Sequence, residues 1–362
     1  METMVNSTNF WKDKRVFVTG HTGFKGSWLV LWLESMGAKV RGYALEPDSH
    51  PSLYHSISGH LNCESIIADI RDRITLDHQL RTFEPDVIFH LAAQPLVRAS
   101  YKNPSETFEI NVVGTSNLLE GAIKFNHPCT IVVITTDKVY QNNEWHYPYR
   151  ETDRLGGYDP YSASKAATEL VVESFRNSFF HPNYYPKHRK AIATARAGNV
   201  IGGGDYATDR IIPDVVRALS QDKEILIRNP SAIRPWQHVL EPLSGYLLLA
   251  EMLHKNPSSY SQSYNFGPNI HDSLSVGELV DRCIAAWGGG NARYTRPADA
   301  PHEAGLLKLD ISKSVNELGW KPGWDTSTAV ELTINWYKNA LKFQRDQHEL
   351  CLNDLQLFQR ND

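Results

Sequence analysis

Between Lys14 and Gly37 the chain reads KRVFVTGHTGFKGSWLVLWLESMG, an apolar run that ends in three glycines at 20, 23 and 26 and passes at once into a helix-forming stretch. A strand, a tight turn and an amphipathic helix are packed into one short unit. Glycine lets the turn close, lets backbone amides approach a phosphate, and lets the helix lie close against the strand. The helix N-terminus then faces an anion. A glycine triplet alone fits any strand-to-helix turn, but here the flanking strand and helix supply the context that the motif requires. The stretch reads as the pyrophosphate cradle of a nicotinamide dinucleotide, with Gly20, Gly23 and Gly26 as its turn.

The rest of the chain is consistent with an enzyme built on that unit. A length of 362 residues suits one large domain with a smaller appendage. The net charge of −4 and pI near 6.4 leave no basic excess to neutralise many phosphates, which argues against a nucleic-acid or membrane-surface binder. Cys63, Cys129, Cys283 and Cys351 are far apart and form no CxxC pair, and the start METMVNSTNFWKDK lacks the apolar core of a signal peptide. A reduced, cytoplasmic setting is the expectation, with Asn6-Ser7-Thr8 a polar terminus rather than a used sequon. No apolar run approaches the length that spans a bilayer.

Strand and helix signals then alternate. Strands are expected at 38–45 (AKVRGYAL), 65–69 (SIIAD), 86–91 (DVIFHL), 130–136 (TIVVITT) and 191–197 (AIATARA), with helices over 72–83, 104–125 and from Tyr161 toward Phe180. Such alternation means a parallel sheet buried on both faces, an α/β fold of the Rossmann, doubly wound type. Tyr43 stands near where dinucleotide folds often place an acidic ribose ligand, with Glu46 a few residues on. His50, His55 and His60 recur at five-residue intervals, which fits no common zinc pattern, so no metal is expected.

Ligands of open parallel sheets bind beyond the carboxyl ends of the strands, which places Thr135, Thr136, Asp137 and Lys138 where chemistry is expected. Tyr161 and Lys165 are four apart on a helix and share a face. A cation beside a phenol lowers its pKa toward neutrality and makes tyrosine a usable proton acceptor. Beyond 198-GNVIGGGD-205 the alternation fades. Residues 209–232 and 268–362 read as short helices and turns, ending after Trp336 in a polar-faced helix that frays. The expected division is a dinucleotide domain of 1–197 plus about 233–267, and a smaller C-terminal sugar-nucleotide-binding domain of about 198–232 and 268–362.

In ordered combination these segments resemble the extended short-chain dehydrogenase/reductases that act on nucleotide sugars, and within them the 4,6-dehydratases. The marks are TGxxGxxG at 19–26, Asp69-Ile70, HLAAQ at 90–94, Asn111, TTDKVY at 135–140, YSASK at 161–165 and RAGNVIGGGD at 196–205. The resemblance implies NAD as cofactor, held by Gly20, His21, Gly23, Phe24, Gly26, Asp69, Ile70, Leu91, Ala92, Ala93, Gln94, Asn111, Thr135, Tyr161 and Lys165. It implies CDP-glucose as substrate, contacted by Gln94, Asn199, Arg210, Arg234, Trp236 and His302, and a homodimer or homotetramer built on the helices of Asn111 and Tyr161.

The implied catalytic set is Thr136, Asp137, Lys138, Tyr161 and Lys165. Tyr161 and Thr136 serve the sugar 4-hydroxyl, Asp137 is the acid at O6 and Lys138 the base at C5, where related dehydratases acting on dTDP-glucose usually carry glutamate. His21 replaces a glycine common among relatives, so the cofactor is expected to dissociate readily. A 4-epimerase shares Tyr161, Lys165 and Thr136 but needs no Asp137-Lys138 pair, and a non-catalytic NAD(P) sensor needs none of them.

Overall fold

The computed structural model describes residues 8–227, 229–295 and 306–361. Seven strands form one sheet: β1 (Arg15–Thr19), β2 (Lys39–Ala44), β3 (Glu64–Ile67), β4 (Val87–His90), β5 (Cys129–Ile134), β6 (Lys190–Ala197) and β7 (Ser263–Phe266). Their order is β7-β6-β5-β4-β1-β2-β3, and every pairing is parallel. The order reverses between β1 and β4, where Thr19 lies beside His90, so a crevice opens at their carboxyl ends. Every residue of β4, β5 and β6 is buried, because helices cover both faces of the sheet. β7, SYNF, is four residues long, too short to show a period, and was not anticipated from the sequence.

The helices that matter for the site are α1 (Phe24–Ser35), α2 (Arg73–Phe83), α3 (Gly114–Ile123), α4 (Pro160–Ser178), α5 (Ile211–Ser220), α6 (Leu240–Lys255), α7 (Val276–Trp287), α8 (Thr326–Lys342) and α9 (Gln347–Asn361). Several begin where the sequence provides a cap. Asp72 accepts from the Thr75 amide, Asp159 from Ser162 with Pro160 at the first position, and Asp325 from Thr328. The single helix expected over 104–125 is instead interrupted by a π turn at Glu109–Val113, which carries Asn111 to the interior. α1 is not one-sided. It is buried without a break from Gly26 to Leu33, with the sheet on one side and later elements on the other.

One apolar cluster lies on that side and joins Trp28, Leu29 and Trp32 to α6, α8 and α9; a second, on the opposite face, joins Phe17, Ile88, Leu118 and Val172. The end of the chain does not fray after Trp336. α8 continues to Lys342, and α9 buries Leu350, Cys351, Leu355 and Phe358, with Phe358 edge-on to Trp32 and Trp324. Leu-x-x-x-x-Leu spacing among many polar residues concealed that inner face. Between β6 and α8, short strand pairs join Val200–Ile201 to Gln237–His238, Ile225–Ile227 to Ala292–Tyr294, and Ile233–Arg234 to Leu274–Ser275. Among the described residues no helix is long and apolar enough to cross a membrane.

Candidate active site

The glycine turn closes as its spacing requires. Gly20 has φ +76°, and a Cβ there would sit 2.8 Å from the Ala92 nitrogen; a Cβ at Gly26 would lie 2.1 Å from the Gly20 carbonyl oxygen. Side chains are excluded at both points, so β1, the β4 loop and α1 meet closely. α1 starts at Gly23 with no side chain capping it and no acidic residue in its first turn. Its leading amides are therefore available to an anion, which fits the pyrophosphate of a dinucleotide.

Around this cradle the residues named from the sequence take distinct places. His21 is buried under β2: its ring fills the space a Cβ at Gly42 would need, and its Nε2 is hydrogen-bonded to Ser65 Oγ at 2.7 Å. Burial lowers its pKa to about 4, so the imidazole is neutral and is not a cation attracting phosphate. Its Nδ1 is buried without a partner. Asp69 is held as a carboxylate by Arg71, which donates to both its oxygens, and Ile70 is buried against α3. His90 is a buried tie across the crevice, hydrogen-bonded to Thr19 at 2.7 Å and Thr115 at 2.9 Å, and burial drives its pKa to about 3. In the loop from Leu91 through Ala92 and Ala93, Gln94 spends its side chain locally: Nε2 donates to Thr107 and Oε1 accepts from the Leu96 amide. Asn111 locks that loop to α4, its Oδ1 accepting from Gln94 N and its Nδ2 donating to Ser164 Oγ at 2.8 Å.

At the end of β5 a single turn is capped by Thr136 and presents Asp137 and Lys138. Thr136 Oγ1 donates to Asp137 Oδ1 at 2.9 Å, and its hydroxyl is near enough to the Tyr161 phenol to act on that group's pKa. Asp137 is buried, its other oxygen has no partner, and burial raises its pKa above the ordinary carboxylate range against the pull of Lys138, Arg234 and Lys25. Tyr161 departs from expectation. Burial pushes its pKa up to about 12, opposed by Thr136 and by the charge of Arg210. Lys165 donates to the Ile134 carbonyl at 2.8 Å, and burial brings its own pKa down to about 8. In this arrangement Thr136 and Arg210 oppose the rise of the Tyr161 pKa.

Two further features were missed in the sequence. Lys25, in the glycine turn itself, is an amine whose pKa burial lowers to about 8, with Arg210 and Lys165 acting in the same sense and Asp137 against. A charged residue inside a glycine turn was the signal. Behind the site, Glu169 lies one helical turn beyond Lys165, whose charged form it favours, and pairs with Arg196 at 2.9 Å; it also accepts from Thr135 and Thr194. Thr135 therefore anchors this buried network.

Of the residues expected at the substrate, Arg210 pairs with Asp205 at 2.9 Å and acts on Tyr161, and Arg234 acts on Asp137 from its short strand. Asn199 lies past the end of β6 and accepts from the Gln237 amide. Trp236 is a correction: only 4% exposed, it sits in the apolar cluster with its indole N–H donating to the Leu274 carbonyl. It was expected at the substrate as a neighbour of Arg234 and through the family resemblance, but between the two short strand pairs that flank it its ring turns inward. His302 lies outside the described residues.

With this geometry in hand, comparison with known proteins is informative. The family described as GDP-mannose 4,6 dehydratase matches residues 17–333. The chain is 49% identical over 330 residues to CDP-glucose 4,6-dehydratase of Salmonella typhimurium, covering 91% of this chain and 92% of that protein. Among solved structures, dTDP-glucose 4,6-dehydratase from Bacillus anthracis in complex with NAD superposes with a TM-score of 0.76 at 23% identity, over 90% of this chain and 97% of that one. UDP-glucose 4-epimerase from Thermotoga maritima does so with a TM-score of 0.75 at 21% identity, over 90% and 99%. The two structures show the fold, and the family match at residues 17–333 spans the site-bearing segments from the glycine turn into α8. The chain belongs to the GDP-mannose 4,6 dehydratase family.

Proposed function

We propose that the protein is an NAD-dependent hydro-lyase that converts CDP-glucose to CDP-4-keto-6-deoxyglucose and water. The observation that carries the reading is Asp137: a buried carboxyl with a raised pKa and one unpartnered oxygen, joined through Thr136 to Tyr161. An epimerase has no use for that second proton-carrying group. The 49% identity to the Salmonella enzyme supports the cytidine nucleotide.

NAD held at the turn of Gly20, Gly23 and Gly26 would supply the hydride acceptor for C4 and the hydride source for C6. Tyr161 accepts the 4-hydroxyl proton, with Thr136 holding the same oxygen. The resulting ketone acidifies the C5 proton, because the electron pair left behind spreads onto an oxygen held by Tyr161 and Thr136. Lys138 removes that proton, and Asp137 in its protonated form gives one to O6 so that water departs. Lys25 is the second amine in reach of Asp137. Exchange of C5 with deuterium from solvent separates the two: it is expected to vanish in Lys138→Ala and persist in Lys25→Ala, and the opposite pattern moves the base to Lys25.

The whole reading is tested by incubating the protein with NAD and C4-tritiated CDP-glucose in heavy water. The expected product is a 6-deoxy-4-keto sugar with deuterium at C5 and the label at C6; a galactose-configured product without deuterium is the epimerase result. We also infer an exchangeable cofactor, lost on dialysis, a cytoplasmic homo-oligomer formed through the helices of Asn111 and Tyr161, and a product used for 3,6-dideoxyhexoses of lipopolysaccharide O-antigen. The division into a dinucleotide domain and a substrate lobe near 198–232 and 268–362 belongs to the same reading.

A further inference from the structure

Away from the crevice, three metal-ligating side chains converge from distant parts of the sequence. His60 ends the turn after β2, and Asp346 and His348 flank the start of α9. Their ligand atoms all lie within 4.8 Å of one another. His60 Nε2 is 3.8 Å from Asp346 Oδ2, and the two imidazoles stack with centroids 4.5 Å apart and planes 7° from parallel. Asp346 divides its work: Oδ1 accepts from the Glu349 amide as the helix cap, which leaves Oδ2 for a second partner. Asp346 and Glu349 are the neighbouring negative groups that a cation would meet.

We propose that His60, Asp346 and His348 form a surface site for a borderline divalent metal of the zinc class, which clamps the start of α9 to the turn at residue 60. Two imidazoles and one carboxylate suit zinc, nickel or copper and not magnesium or calcium, which prefer oxygen ligands. Ligands about 2.1 Å from a tetrahedral zinc stand about 3.4 Å from each other. His60 and Asp346 are exposed and His348 is half-buried, so metal binding would draw the three ligand atoms together from their present spacing, with water completing the coordination. The inference is independent of the catalytic reading, since none of the three residues lies at the crevice.

The test uses the full-length, tag-free protein stripped of metal. Zinc is expected to bind with one equivalent per chain at micromolar concentration and to raise the unfolding midpoint by several degrees, while magnesium does neither. His60→Ala and His348→Ala should each weaken zinc binding at least tenfold and remove the shift. Asp346→Asn keeps a cap acceptor and should weaken binding without unfolding α9. One equivalent of cupric ion should show coupling to two imidazole nitrogens in its electron paramagnetic resonance spectrum. Zinc binding of equal strength in the histidine variants, or a cupric spectrum unchanged by them, overturns the site. Failure of the dehydratase assay would leave all of these readouts intact.

Discussion

Asp137 and Tyr161 set the chemistry through opposite roles, proton donor and proton acceptor, although burial favours the protonated form of both. A buried carboxyl with a raised pKa can donate a proton near neutrality, whereas a buried phenol at about 12 needs positive charge before it can accept one. Asp137→Asn is expected to retain the first half of the reaction, read as accumulation of reduced cofactor, and to stall water loss. In the wild type, water loss should decline as pH rises through the elevated Asp137 pKa, because the donating form disappears; the asparagine variant should show no such decline. Tyr161→Phe should lower turnover by about 10²–10⁴-fold, measured as release of the 4-keto sugar. Strand-end and helix-face rules bring Asp137 and Tyr161 to the crevice from the sequence, while their roles there are what the family resemblance implies. Lys25 and Trp236 were not legible: whether a side chain beside a turn points into the crevice or into the core depends on contacts with segments far along the chain.

At the level of elements, α4 is the rod on which the site is mounted. Its inner face carries Tyr161, Lys165 and Glu169 at successive turns, and Glu169 fastens it to β5 and β6 through Thr135, Thr194 and Arg196. Arg196 extends the tie, donating to Tyr140 Oη at 2.8 Å. Arg196→Ala leaves Glu169 charged and uncompensated in the interior. The expected cost is about 3–5 kcal/mol, measurable by urea unfolding. The central strands were readable as apolar runs and α1 from its glycine turn, whereas the π turn at Glu109–Val113 has no sequence period of its own and shows only in where Asn111 points.

For the molecule as a whole, stability is tied to the docking of α9 on the cluster around α1. Asp354 in α9 is buried with an unpartnered oxygen, and burial raises its pKa to about 7. Unfolded, the same carboxyl titrates near about 4. The native state therefore binds this proton more tightly, so its contribution is complete below about pH 4 and is lost as pH rises toward about 7. Asp354→Asn is expected to flatten the pH dependence of unfolding across that window and to raise the melting midpoint at pH 8. The same packing dictates a timetable for biosynthesis. Trp28 and Trp32 leave the ribosome long before Phe358, the ring that covers Trp32. Until α9 has emerged and docked, Trp32 stays wet, and a chaperone that shields exposed apolar rings would find its target there.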